Sequence, residues 1–254
     1  MKKYGDLLKK PRIAFFGHTS CKGCFFEFLI LEKRILEILK GADIVHFELI
    51  KEYNEEGPFD ITFMDGATST KEELEMLKKI REDSKFLIAL GTCACWGGIP
   101  AIKNSAKNLR VAYPGPVPQK SIETTPIDKH VKVDYYLRGC PINKDEAFEV
   151  IRDLLNGKIP REKDYCVCVE CRMKGNRCLF EDGIVCMGPV TYAGCGAPCP
   201  SIRAACDGCR GPLPDGNVGQ EIKLLLDHGI SKEDIKRMFS KYASSSKKFE
   251  VKIK

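Results

Sequence analysis

No apolar run of eighteen residues occurs in this 254-residue chain, so the sequence offers no membrane-spanning helix. The N-terminus, Met1-Lys-Lys-Tyr-Gly-Asp, has neither the apolar stretch of a secretory leader nor a twin-arginine pair. A cytoplasmic location is expected, or export in company with another protein. Neither a GxGxxG turn nor a phosphate-binding loop is present, and nothing resembles a nucleophile beside its base. Histidine is scarce, at four residues, and tryptophan occurs once. The net charge of +6 comes from lysines interleaved with glutamates. Without a basic stripe carrying aromatics, nucleic-acid binding is not indicated. No internal repeat of fixed period is found.

Cysteine, by contrast, is abundant: fourteen residues, nine of them between positions 166 and 209. These run as Cys166-x-Cys168-x2-Cys171, Cys178, Cys186, Cys195, Cys199 and Cys206-x2-Cys209. The other five are Cys21, Cys24, Cys93, Cys95 and Cys140. In a reducing compartment thiolates bind metals and do not persist as disulfides. A disulfide framework also expects a shorter, secreted chain. The counts suit three four-cysteine sites, and so several metal or iron–sulfur centres that carry electrons.

The first 158 residues alternate between strand and helix patterns. Short apolar runs at 12–16, 43–50, 59–64, 86–90 and 133–138 read as strands. Helical periodicity covers 25–39, about 70–82 and 144–156. Gly41 ends the first helix and Asn156-Gly157 the last. Such alternation predicts an α/β fold with a doubly wound parallel sheet, of flavodoxin-like order if the strands follow the common plan. Residues 100–130 carry five prolines and read as an irregular excursion. Residues 160–217 are rich in Cys, Gly and Pro and bury little, so bound clusters would staple a small loop-rich domain there. Two short helices at about 219–227 and 232–242 follow, with Ser231 and Asp234 as a capping pair and a frayed polar tail over 244–254. The expected division is a sheet domain over 1–158 and a cluster domain over 159–254.

On that plan Cys21 and Cys24 follow strand one, Cys93 strand four and Cys140 strand five. Open α/β sheets hold ligands beyond the carboxyl ends of their strands, so these four converge. A four-thiolate set selects zinc or iron–sulfur. Structural zinc usually draws on one compact stretch, and assembly from three distant loops favours a 4Fe–4S cluster. Cys95 packs as a small apolar residue. In the dense segment Cys168, Cys171, Cys178 and Cys186 make one set, and Cys195, Cys199, Cys206 and Cys209 another. Cys166 is left over because Cys168 completes the tight Cys-x2-Cys pair. Two zinc ribbons are the alternative for this segment, and they leave the strand-end thiols unexplained. Among other residues, His18 reads as a polar loop residue, while His46 and His228 have no evident partner. Trp96 is expected to pack over a cluster. Asp65 either forms hydrogen bonds in the crevice or simply starts a turn.

Several motifs in this order resemble the small, electron-transferring subunit of nickel–iron hydrogenases, over about residues 12–212. They are Thr19-Ser-Cys-Lys-Gly-Cys24, Gly91-Thr-Cys-Ala-Cys-Trp-Gly-Gly98, Arg138-Gly-Cys-Pro141, Cys168-Val-Glu-Cys171 and Asn176-Arg-Cys178-Leu. Cys186-Met-Gly-Pro189, Gly194-Cys-Gly-Ala-Pro-Cys-Pro200 and Cys206-Asp-Gly-Cys-Arg-Gly-Pro212 complete the series. The resemblance implies a proximal 4Fe–4S cluster on Cys21, Cys24, Cys93 and Cys140. It implies a distal one on Cys168, Cys171, Cys178 and Cys186, and a medial one on Cys195, Cys199, Cys206 and Cys209. The exported enzymes usually have histidine where Cys168 stands and lack a counterpart of Cys199, so this chain resembles the cytosolic, sulfhydrogenase delta-like branch. The nickel–iron centre would belong to a separate large subunit. Electrons would pass on to a flavin (NAD(P)H), deazaflavin or ferredoxin-type partner. The chain departs from the family in Asp65 where glutamate is common, in Ile142 where a second proline is common, and in the position of Glu27. Rival readings are the related 20 kDa subunit of NADH:ubiquinone oxidoreductase, a hydrogenase-like subunit serving another oxidoreductase, and a zinc-scaffold adaptor.

Overall fold

The computed structural model describes residues 10–105 and 121–251. Its strands are β1 (Arg12–Gly17), β2 (Asp43–Phe47), β3 (Phe59–Asp65), β4 (Thr68–Thr70), β5 (Ser84–Leu90), β6 (Ser121–Thr125) and β7 (Tyr135–Leu137). Five of them form one parallel sheet in the order β2-β1-β3-β5-β7. Counted within the sheet, this is second-first-third-fourth-fifth, the flavodoxin-like order. β4 and β6 form a small antiparallel pair that the sequence pattern does not suggest. The prolines at 114, 116 and 118 lie outside the described residues.

Alternation along the strands sends Phe15 and Phe63 to one face and Phe16 and Met64 to the other. The first face is covered by α1 (Gly23–Leu29), α2 (Arg34–Gly41) and α5 (Lys144–Leu155), with Phe15 stacked between Phe47 and Phe63 at 4.5 and 4.8 Å. The second is covered by α3 (Lys71–Asp83) and α4 (Gly91–Trp96). α3 begins with a full capping box, Thr70 and Glu73 each bonding the other's backbone.

The single helix expected over 25–39 is two helices, because Glu32 takes a left-handed conformation (φ 54) that no glycine or proline signals. β2 stops at Phe47, short of residue 50, because the Phe47 carbonyl accepts from Ile50 and Lys51 in a turn. Beyond residue 158 there are only short helices: α6 (Val167–Met173), α7 (Pro198–Ser201), α8 (Val218–Asp227) and α9 (Lys232–Ala243). α8 and α9 close over Met187, Val190, Leu225, Ile235 and Phe239. Ser231 caps α9 by accepting from the Asp234 amide. The tail expected to fray is packed as far as Phe249, whose ring lies edge-on to Phe239 at 4.9 Å. Among the described residues no helix is long and apolar enough to cross a membrane.

Candidate metal centres

Every cysteine is unpaired. Cys21 and Cys24 flank a tight turn made by Lys22 in a left-handed conformation (φ 60), so α1 starts with Cys24 buried in its first turn. β5 runs without a loop into α4, which carries Cys93 and stops at Gly97 and Gly98, both at positive φ. The Thr92 amide donates to the Gly139 carbonyl at 2.9 Å, tying the Cys93 helix to the Cys140 loop. Gly91 (φ 77) is required here: a Cβ on it would stand 2.3 Å from the Cys24 sulfur. The four thiols sense one another. Burial pushes Cys93 far up, and Asp65, Cys140 and Cys21 add to the rise. Cys140 is pushed up to about 11 by burial, then by Cys209 and Cys21.

Asp65 ends β3 inside this crevice, buried, accepting from the Ser20 hydroxyl at 2.7 Å and close enough to Cys24 to push that thiol up. It is therefore part of the site and not merely a turn residue. Burial raises its carboxyl, against the pull of Ser20 and Lys22.

In the C-terminal half Cys168, Cys171, Cys178 and Cys186 line one cavity of about 90 Å³, whose other walls are mainly apolar (Val167, Leu179, Phe180 and two prolines) with Arg172 and Gly188 completing them. Gly188 lets the backbone pass beside them: its Cβ would lie 3.1 and 3.5 Å from the Cys168 and Cys186 sulfurs. Cys206, Cys209, Cys195 and Cys199 form the third group, close enough that Cys209 and Cys195 raise the Cys206 thiol and Cys199 raises that of Cys209. Backbone amides point at the sulfurs: Gly188 at Cys186, Ala197 at Cys195, Gly208 at Cys206 and Ile142 at Cys24.

The three groups touch in series. The Thr92 hydroxyl donates to the Cys209 carbonyl and the Cys140 amide faces the Cys209 sulfur, joining the sheet group to the middle one. The Cys206 amide donates to the Cys186 sulfur at 3.2 Å, joining the middle group to the last. Glu170, between Cys168 and Cys171, accepts from the Gly194 and Gly196 amides at 2.9 and 2.8 Å and so holds the Cys195 loop. Sequence reasoning passes over Glu170, although its place inside a Cys-x2-Cys pair is a usable signal. It also passes over Arg210, directly after Cys209, which is buried against Glu146.

Among the described residues no three His, Cys, Asp or Glu side chains close on a point the size of one ion. A tetrahedral zinc site would draw its thiolates to about 2.3 Å of one centre. Thiols set around a wider apolar space, with amide donors aimed at the sulfurs, fit an iron–sulfur cluster.

Cys95 lies in the core on the other side of α4, its thiol donating to the Ala89 carbonyl at 3.6 Å, and burial pushes it up to about 12. Cys166 lies beside Cys168 and, after burial, is what pushes that thiol up to about 12. His18, expected as a polar loop residue, is buried with neither ring nitrogen partnered, because its amide pairs with the Asp65 carbonyl and extends the strand inward. Trp96 packs between the sheet core and the C-terminal core, its indole N–H donating to the Arg210 carbonyl at 3.3 Å.

A family model described as NADH ubiquinone oxidoreductase, 20 Kd subunit, matches residues 21–154. The chain is 37% identical over 235 residues to sulfhydrogenase 2 subunit delta of Pyrococcus furiosus, covering 91% of this chain and 99% of that one. It is 36% identical to a chain of the F420-non-reducing hydrogenase vhu of Methanocaldococcus jannaschii, covering 76% and 78% of the two chains. Among solved structures, a chain of an NAD+-reducing [NiFe]-hydrogenase superposes with a TM-score of 0.54 at 29% identity, over 60% of this chain and 95% of that one. The actinobacterial-type NiFe-hydrogenase of Ralstonia eutropha H16 shares the fold over 98% of this chain, with a TM-score of 0.61 at 13% identity. The chain belongs to the NADH:ubiquinone oxidoreductase 20 kDa subunit family and is a small subunit of the nickel–iron hydrogenase type.

Proposed function

We propose that this subunit relays electrons through three 4Fe–4S clusters, between a nickel–iron site on a large subunit and a flavin, deazaflavin or ferredoxin-type partner. The observation that carries this reading is the serial contact of three four-cysteine groups. Cys21, Cys24, Cys93 and Cys140 would hold the proximal cluster, at the end of the sheet. Cys195, Cys199, Cys206 and Cys209 would hold the medial one, and Cys168, Cys171, Cys178 and Cys186 the distal one. When bound, such clusters supply one-electron carriers whose potentials respond to charge, hydrogen bonds and exposure.

The chain's own residues do the rest. Amides of Cys140 and Cys206 reach from one group to a sulfur of the next, which keeps successive groups in contact. Val167, Leu179, Phe180, Pro189 and Pro200 give the distal group a largely apolar wall, with Arg172 at its edge. Cys21 is exposed while Cys24 and Cys93 are buried, so the proximal group opens to the surface on one side, where a large subunit would seat. Fourteen unpaired thiols suit a reducing compartment, and the reading takes the cytoplasm as the working location. It also keeps the division near residue 158, sheet before and cluster segment after.

The test is metal content of the intact complex. About twelve irons per small subunit, together with nickel, are expected from three four-iron clusters. Iron near four with zinc present would overturn the relay, and absence of a nickel-binding partner would overturn the hydrogenase assignment.

A further inference from the structure

Arg210 is a buried cation that the electron relay does not by itself explain. Only 3% of it is exposed, and its partner Glu146 is 7% exposed. Its Nη2 donates to Glu146 Oε1 at 2.9 Å, and Nη1 lies 2.8 Å from Oε2. Nη1 also donates to the Arg138 carbonyl at 2.6 Å, two residues before Cys140. The pair fills the space over Gly194: a Cβ there would lie 2.3 Å from both Arg210 Nη2 and Glu146 Oε1. Gly194 in turn precedes Cys195.

The pair is oriented. The guanidinium stands on the side of the middle group: Arg210 follows Cys209 directly and its Nη2 covers Gly194, the residue before Cys195, and its charge draws both thiols down. The carboxylate of Glu146, on α5, lies on the other side of the guanidinium's donors, while a second carboxylate, Glu170, already stands 4.0 Å from the Cys195 sulfur. A second buried arginine nearby behaves differently: Arg138 pairs with Glu162 at 3.0 Å and lies over the Tyr192 ring at 4.0 Å. A buried ion pair is weak evidence for stability, since apolar residues of equal volume often do as well. Its retention beside one particular group of thiols calls for a different role.

We propose that the Arg210–Glu146 pair sets the reduction potential of the medial cluster, with Arg210 raising it and Glu146 limiting the rise. Arg210 is a positioning residue in this scheme; it ligates nothing and keeps its charge at every working pH. Adding an electron makes a cluster more negative, so a fixed cation beside its sulfurs favours the reduced form. The middle carrier must match its neighbours on both sides, and a permanent charge does this without a mobile proton.

This inference rests on the three-cluster reading. The experiment is a redox titration of the purified complex followed by electron paramagnetic resonance, with iron counted in every variant. The medial signal is the one altered in Cys199→Ser. Glu146→Gln keeps the cation and is expected to raise the medial potential. The double variant Arg210→Met with Glu146→Gln removes both charges and is expected to lower it. We expect at least a tenfold shift in its reduction equilibrium, about 59 mV for one electron. Arg210→Lys is expected to stay closest to the native value. Should the double variant lose iron, the upward shift in Glu146→Gln decides alone. Full iron with no shift, shifts of one sign in both variants, or equal shifts in all three clusters would overturn the proposal. Fewer than three clusters in the native complex would instead overturn the reading beneath it.

Discussion

The sheet half gathers four thiols from positions as far apart as 21 and 140, whereas residues 166–209 gather eight from a much shorter span. In the first case a large core does the gathering. Ile13, Phe63, Leu87, Ile88 and Leu90 are fully buried, and the cysteines merely follow the strand ends. In the second case the small core of Val167, Leu179 and Ala197 includes Cys186 and Cys206 themselves. One region places its thiols whatever they bind. The other has little apolar core of its own beyond Met187 and Val190 under α8 and α9, so on the proposed reading bound clusters would supply much of its cohesion, as in small metal domains. Removing iron should therefore divide the molecule. After anaerobic chelation, amide hydrogen exchange is expected to lose protection throughout 166–209 while β1, β3 and β5 stay protected. Simultaneous loss in both regions would abolish the distinction.

A smaller perturbation probes the sheet site from within. Gly91→Ala places a Cβ 2.3 Å from the Cys24 sulfur at a φ of 77, so both strain and collision oppose it. The variant should lose about a third of its iron, one cluster of three, and keep its sheet. Gly183→Ala is the control, with a similar φ of 73 and no atom within 4 Å of the new Cβ. It should cost about 1–2 kcal/mol of local stability and retain all its iron. Equal iron loss in both variants would show that strain alone disrupts the chain.

The C-terminal half also carries a group that opposes its own folding at high pH. Glu221 on α8 is 3% exposed, its Oε1 has no hydrogen-bond partner, and burial raises it to about 7. The folded state thus holds a proton that the unfolded chain has released above the ordinary carboxylate range. Stability contributed this way is complete at low pH and falls as pH rises through about 7. Glu221→Gln should stabilise this half at pH 8 by up to about 3 kcal/mol, a gain that shrinks toward pH 5.5. Denaturant melts at the two pH values measure it, and a gain independent of pH would point to packing instead.

The same contrast explains what could be read beforehand. Five strands follow from apolar runs and alternation, because a buried parallel sheet imposes them on sequence, whereas their flavodoxin-like order is a matter of pairing that no single run encodes. Asp65-Gly66 and the strand-end cysteines were visible for the same reason. α4 was not, since six residues give too little periodicity, although Gly97-Gly98 marks its stop. The break between α1 and α2 left no trace, because Glu32 has no special chemistry for positive φ. Burial of His18 was missed because it depends on the neighbouring β3 and not on local pattern. In the cysteine-rich half the spacings separated two sets of thiols. The contacts between sets run through the Thr92 hydroxyl and single amides of Cys140 and Cys206, and no spacing encodes those. The buried Arg210–Glu146 pair joins residues 64 positions apart, and single-chain sequence carries no signal of that pairing.

Glu170 offers the finest cut between the two regions. Its carboxylate accepts from the Gly194 and Gly196 amides and so spans from α6 to the loop that carries Cys195. Charge-assisted hydrogen bonds of this kind are each stronger than neutral ones. Glu170→Gln keeps an acceptor and the side-chain shape but removes the charge. A loss of about 1–2 kcal/mol is expected, equivalent to about 5–30-fold faster exchange of the Gly194 and Gly196 amides. Amides of α4, which carries Cys93, should not change, because its ties to the C-terminal half run through Cys209, Arg210 and Ser245 and, among the described residues, none through Glu170 or the Gly194 and Gly196 amides. Acceleration in both places would mean that the medial loop and the sheet open as one unit, and the two regions would no longer be separable.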